Sequence, residues 1–291
     1  MRNFEELKQL LAKIKANDYE VPAGIDVDGV IDDMLKFIGH VDPELRDNLI
    51  YPTFMNWGEE KGIISAEKMK YILNVCLSNS HLFFGIGEKD TDSVFTRAFS
   101  SLIISVAFCM QYENPFLSAN DIMDIKKAVL RYIDQEKDLR GYVDGKGWAH
   151  AVAHIADALY NLAGCDKVAC ADNDDEYCIG RESLLEILQA IKTLVCTKDC
   201  VYGAEEDERL ASALMVVIWR EVLTNDEIIS WIDSFDMADN EWWNGSVPAD
   251  YYLHVNRKNF MRSLYFKLLS DKKYEKICEF MRGFLVETEE S

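Results

Sequence analysis

The sequence predicts an all-α protein built as an α-solenoid, a HEAT-like stack of antiparallel helix pairs. Three observations predict it. Nearly every apolar pattern along the 291 residues has helical spacing. Strand signals, meaning alternating β-branched runs closed by Asn-Gly or Asp-Gly, are almost absent. Arginine or histidine also recurs near the start of alternate helices, usually beside an acid: Arg46 in PELRDNLIYP, Arg97 in DSVFTRAFSSL, His150 in WAHAVAHIADAL and Arg209 in EDERLASALMVV. The intervals are 51, 53 and 59 residues, which suits helix hairpins with variable loops. In such arrays one helix of each pair lines a concave face. The competing arrangement is a plain globular bundle in which the recurrence is chance.

The elements follow in order. The first helix, 3–17, carries Phe4, Leu7, Leu10, Leu11 and Ile14 on one face. A second is expected over 26–39. The third, 43–61, opens on Asp42-Pro43-Glu44, with proline at its first position. The fourth, 65–79, opens on Ser65-Ala66-Glu67. The fifth, 91–112, contains SLIISVAFCM (101–110), a run too short for a bilayer and suited to a buried helix. The sixth, 118–135, begins with the capping-box pattern Ser118-Ala119-Asn120-Asp121. The seventh, 146–164, follows Asp144-Gly145-Lys146-Gly147, read as a turn that delivers the chain into the helix. Helices over 181–197, 206–222, 225–234, 249–269 and 271–286 complete the set, with Thr224 before Glu227 as a third cap. The C-terminal aromatics Trp231, Trp242, Trp243, Tyr251, Tyr252, Phe260 and Tyr265 are expected to serve as core and cap contacts of the last repeat.

Composition narrows the function classes. A 49% hydrophobic chain with 11% aromatics and five prolines can bury a large core and is not disordered, so a single helical-repeat domain spanning 1–291 is expected. Its 51 acids against 31 bases give a net charge of −20, which excludes nucleic acid as the main ligand. An acidic surface can attract a basic partner, although solubility alone also accounts for it. The start of the chain lacks the basic-then-apolar order of a signal peptide, and no apolar run looks long enough to span a membrane, so a cytoplasmic protein is expected.

Cys76, Cys109 and Cys278 sit in apolar helical patterns as small core residues; the other five cysteines cluster between Cys165 and Cys200 without a C-x-x-C pair. The 165–180 segment reads as an acidic, cysteine-containing loop insertion. Asp172, Asp174 and Glu176 have the first spacings of a calcium loop, but Tyr177 and Ser183 stand where glycine and glutamate are required.

Four segments carry a family resemblance: Asp42–Pro52, Asp90–Leu102, Asp138–Leu159 and Glu206–Leu214. Together they resemble a bacterial family of unknown function numbered 2785, over a span from about Leu7 to about Leu269. The resemblance implies an all-helical, repeat-like fold and a bacterial cytosolic setting, and it implies no activity.

The candidate groove residues are Arg46, Asp92, Arg97, Arg140, Lys146, Trp148, His150, His154, Asp157 and Arg209. His150 and His154 are four apart and Asp157 is three further on, so a single helix would put all three on one side. Two histidines and a carboxylate at that spacing can bind a divalent metal. Ala151 stands where a zinc protease keeps its glutamate base, so that protease motif is incomplete. Arg46, Arg97, Arg140, Lys146 and Arg209 could grip an anionic small molecule by forked hydrogen bonds. Alternatively they pair with acids such as Asp47, Asp92 and Asp207 and lock neighbouring repeats together. No P-loop, G-x-S-x-G or dinucleotide fingerprint is present.

The leading expectation is a non-catalytic binding protein that needs no cofactor and takes a peptide, a basic protein or a small polar ligand in a concave groove. The alternatives are a metal-dependent hydrolase using His150, His154 and Asp157, and an acidic inhibitor or immunity protein for a basic partner.

Overall fold

The computed structural model describes residues 1–165, 179–235 and 248–287. The calcium-like acids 172–176, Cys170, Cys178, Trp242 and Trp243 lie outside the described residues. The described part is predominantly helical and all-α in class. Its residues cluster into two compact units, one running to Ala158 and the other beginning at Leu159.

In the first unit, α1 (Phe4–Ala16) starts with a capping box in which Asn3 and Glu6 satisfy each other's backbone N–H. Leu7, Leu11 and Ile14 are its buried face. α2 (Val27–Lys36) follows. The next helical run, α3 (residues 43–60), alternates α-helical with π-helical turns at Arg46–Ile50 and Asn56–Glu60. Pro52 has no N–H to give the Asn48 carbonyl one turn back, and Lys15 Nζ donates to that oxygen instead, at 2.9 Å. Trp57 is fully buried and its indole N–H donates to the Tyr19 carbonyl. α4 (Ala66–Cys76) is capped by Ser65, as its sequence predicts.

The unit is centred on α5 (Ser93–Glu113), which packs on α3 and α4. α5 is apolar on nearly all sides because nearly all sides are covered. The sequence expectation of no membrane-length run is corrected here: the helix extends past 101–110 to 21 residues and contains an 18-residue stretch of mean hydropathy 1.6, long and apolar enough to cross a bilayer. Burial of 78% of that stretch identifies it as a core helix. Gly39 permits a close approach to α5, since a Cβ there would fall 2.5 Å from the Thr96 backbone.

α6 (Ala119–Gln135) carries the predicted Ser118–Asp121 capping box. Next comes a two-stranded antiparallel hairpin, β1 (Tyr142–Val143) and β2 (Gly147–Trp148), pairing Tyr142 with Trp148 and Val143 with Gly147. The expected helix start at 146 is therefore corrected: α7 runs Ala151–Gly164, and the boundary between the units falls within it.

The second unit continues with α8 (Arg181–Val195), α9 (Glu206–Trp219), α10 (Asn225–Asp233), α11 (Pro248–Leu268) and α12 (Glu275–Glu287). Thr224 and Glu227 form the predicted capping box of α10. α9 packs on α8 and α11, and α12 packs on α10 and α11. Buried Asn256 clamps the loop before α9, accepting from Tyr202 N and donating to the Cys200 carbonyl. Arg220 donates to the carbonyls of Ala163 and Ile179, securing the end of α7.

Candidate functional site

Arg46 opens the first π-helical turn of α3 and is 0% exposed. Its guanidinium donates to three carbonyls: His40 at 2.7 Å, Lys146 at 2.9 Å and Trp148 at 3.1 Å. Nε faces the Asp47 carboxylate at 2.8 Å. The flat cation also lies over the rings of Phe95 and Phe99, at 4.2 and 4.9 Å. Burial pushes the Arg46 guanidinium down against the pull of Asp47, and it pushes the Asp47 carboxyl up. The pair is therefore costly to desolvate, and the carbonyls and rings complete its compensation. Arg46 thus ties the hairpin, about 100 residues later in sequence, onto α3. Gly147 makes the approach possible: at φ +80° it sits where a Cβ would fall 2.7 Å from Pro43 Cβ.

Arg97, also 0% exposed, does the equivalent for the loop before α5. It forms a fork to buried Glu136 and donates to Phe84 and Gly85 carbonyls and to Ser93 Oγ. Glu136 also accepts from the backbone N–H groups of Lys137 and Asp138. Fully buried Asp138 accepts from Asp90 N and from Arg140, whose guanidinium reaches on to the Thr91 carbonyl at 2.7 Å. Donating hydrogen bonds to the Asp138 carboxylate raises the Arg140 guanidinium further. Asp92 does not cap α5 with its side chain; both its oxygens take Lys146 Nζ, at 2.6 and 2.8 Å.

The expectation that Arg46 and Arg97 look into an open groove is corrected by this geometry. Both guanidiniums are enclosed and engaged by carboxylates and carbonyls, and Arg46–Asp47 realises the paired-acid alternative.

The histidine constellation also differs from the single-helix expectation. His150 lies before α7 with left-handed φ +52°, and its carbonyl accepts the first helical bond from His154 N. The Ala149 and His150 N–H groups both donate to the Gly141 carbonyl, which folds the hairpin against the helix start. His150 stacks on Trp148 at 4.2 Å and 6°. His154, buried on α7, stands nearly perpendicular to the Phe99 ring and places Nδ1 3.3 Å from the Ala98 carbonyl. Asp157 is half-buried further along α7. The metal triad His150–His154–Asp157 is therefore corrected: among the described residues, no group of three His, Cys, Asp or Glu side chains is placed to hold a metal ion.

The structure thus brings Arg46, Asp92, Arg97, Arg140, Lys146, Trp148, His150 and His154 into linked contacts of the first unit. Arg209 lies half-buried on α9 of the second unit. Beside exposed polar groups, the assembly turns two aromatic rings outward. Tyr142 and Trp148 are 57% and 40% exposed, with ring centroids 5.0 Å apart at 77°. From them a continuous ring series runs inward through His150, His154 and Phe99 to Arg46.

Sequence reasoning misses Tyr142, Glu136 and Asp138. The signal for Tyr142 is Asp144-Gly145 between Val143 and Gly147, a hairpin-turn signature. Two cavities, of about 440 and 480 Å³, flank Ser65. None of the sequence-predicted site residues lines either one.

Residues 82–266, more than half of the chain, match the family described as "Protein of unknown function (DUF2785)". That span is narrower than the Leu7–Leu269 stretch of the resemblance. No curated protein and no solved structure matches the chain significantly.

Proposed function

This chain belongs to the DUF2785 family, and from that premise we propose that it is a non-catalytic binding protein whose contact surface is the Tyr142–Trp148 hairpin. The observation that carries the proposal is the contrast between the hairpin's two sides. Its inner side is fastened to Arg46 through the carbonyls of Lys146 and Trp148, while its outer side offers two large exposed rings. Exposed aromatics on a fixed base are the residues that dominate recognition surfaces, because they bury much area with little entropy to lose. The buried ion pairs are occupied with each other and with backbone, so they act as supports for the surface.

The helix arrangement in this proposal is a HEAT-like stack. It is supported in the second unit by α9 on α11 and α10 on α12, the alternate-helix contacts of stacked pairs. The partner is a peptide segment of another protein, and the setting is a reducing compartment such as the cytoplasm. Cys76, Cys109 and Cys278, which carry thiols without disulfides, support that setting.

A photoreactive phenylalanine analogue at position 142 tests the proposal, with the same group at exposed Tyr71 as control. The expected result is an adduct of defined mass from position 142 and none from 71, with the captured protein, once purified, binding again and losing affinity for Trp148→Ala. Equal crosslinking from both positions, or rebinding indifferent to Trp148→Ala, overturns it.

A further inference from the structure

We infer that the Tyr142–Trp148 corner receives a cationic side chain, arginine or lysine, from a basic peptide segment. The inference rests on the hairpin being the contact surface and names the chemistry of what lands there.

Three observations carry it. The first is the rings. Tyr142 and Trp148 are cross-strand partners on one face of the hairpin, and they stand nearly perpendicular. Aromatic faces carry negative quadrupole charge and attract ammonium and guanidinium groups. Among the described residues no cation lies over either ring; the cation–ring contacts are made elsewhere, by Arg46 with Phe95 and Phe99 and by Arg131 with Phe83, for example.

The second is the local charge balance. Three cations of the site have acids of their own: Lys146 holds both oxygens of Asp92, Arg140 forks onto Asp138, and Arg46 faces Asp47. Two further carboxylates stay exposed. Asp144 lies in the hairpin turn, and Asp90, with a 75% exposed side chain, pairs with Arg140 Nε at 3.9 Å. The exposed acid of the turn stands two residues from Tyr142, within a chain of net charge −20.

The third is preorganisation. Asp90 has left-handed φ +62° and its N–H is fixed by buried Asp138, so its carboxylate is presented on a set backbone. Trp148 is backed by the parallel His150 ring. A cation arriving here meets the rings and, in the adjoining turn, the exposed Asp144 carboxylate. A neutral side chain meets only the rings, and an anionic one meets Asp90 and Asp144 as repulsion.

The probe is a capped nine-residue peptide in which three arginines alternate with Gly-Ser pairs. It is compared with counterparts carrying citrulline, which keeps the shape and removes the charge, or glutamate. Affinity is measured by calorimetry, and contact is read from the indole N–H resonance of Trp148, assigned by its loss in Trp148→Phe. The arginine peptide should move that resonance and bind at least about fivefold more tightly than the citrulline peptide, in proportion to a surface cation–ring contact. Tyr142→Ala should weaken it by a similar factor, and Asp90→Asn with Asp144→Asn should reduce its salt dependence.

If the citrulline peptide binds as tightly and moves the same resonance, the cationic specificity is wrong while the hairpin remains the contact surface. If the arginine peptide binds without moving the Trp148 resonance and is indifferent to Tyr142→Ala, both the inference and the hairpin assignment fall. Absence of binding by the arginine peptide at millimolar concentration overturns the inference.

Discussion

Replacing Arg46 by lysine keeps the charge and removes the fork. A single ammonium can approach Asp47 or one carbonyl, but it cannot span the oxygens of His40, Lys146 and Trp148, which the guanidinium reaches at 2.7–3.1 Å from two nitrogens. Hydrogen bonds from a charged donor contribute about 1.5–3 kcal/mol each. Losing two of them, with the ring contacts to Phe95 and Phe99 weakened, makes Arg46→Lys cost about 3–5 kcal/mol, the range seen when a buried charge loses its partners. That is a large part of a typical folding free energy of about 5–15 kcal/mol, and it falls on the attachment of the hairpin.

The assay is urea unfolding followed by fluorine NMR of fluorotryptophan-labelled protein, because Trp57 and Trp148 report on the first unit as separate resonances. The Trp57 transition should move to lower urea by an amount equivalent to about 3–5 kcal/mol. The Trp148 resonance should change before that transition begins, as the hairpin loosens locally. A shift under about 1 kcal/mol with an unchanged Trp148 resonance would refute the reasoning that Arg46 fastens the hairpin.

The remaining predictions concern supporting contacts. Arg97→Met should cost about 3–5 kcal/mol by leaving Glu136 buried and unpaired, and adding Glu136→Met should recover part of it in the same unfolding experiment. Gly147→Ala should cost more than Gly145→Ala in a thermal melt. Both glycines have left-handed φ, about 1–2 kcal/mol for an ordinary residue, but only the Cβ at 147 also collides with Pro43. Glu227 is held down to about 2 by Arg181, with help from the Thr224 backbone and hydroxyl. A depressed carboxyl stabilises the fold above the ordinary value of about 4.5 and loses that effect as pH falls through about 2. Glu227→Gln should therefore melt below the wild type at pH 7 and converge with it near pH 2; a gap that stays constant with pH would contradict the pairing.

Much of the fold is legible in the sequence because helical spacing and capping are local. Asn3, Ser65, Ser118 and Thr224 each cap a helix within a few residues of themselves. The hairpin is less legible: strands of two residues are too short to show alternation, and Gly147-Trp148 joins smoothly in pattern to the helix behind it. His150 departs from the helix through one dihedral angle, which spacing cannot reveal. Arg46 and Arg97 stand out in the sequence, but their roles depend on Lys146, Trp148 and Glu136, partners 39–102 positions away. Without those partners, a signature arginine reads equally as a ligand contact or as a buried tie.

Amide hydrogen exchange across residues 141–150 tests most directly whether the hairpin is a fixed platform. The account predicts that Ala149 and His150, both bonded to the Gly141 carbonyl, exchange slowly in the wild type and become fast in Arg46→Lys. Exchange at the rate of an open loop in the wild-type protein would contradict it.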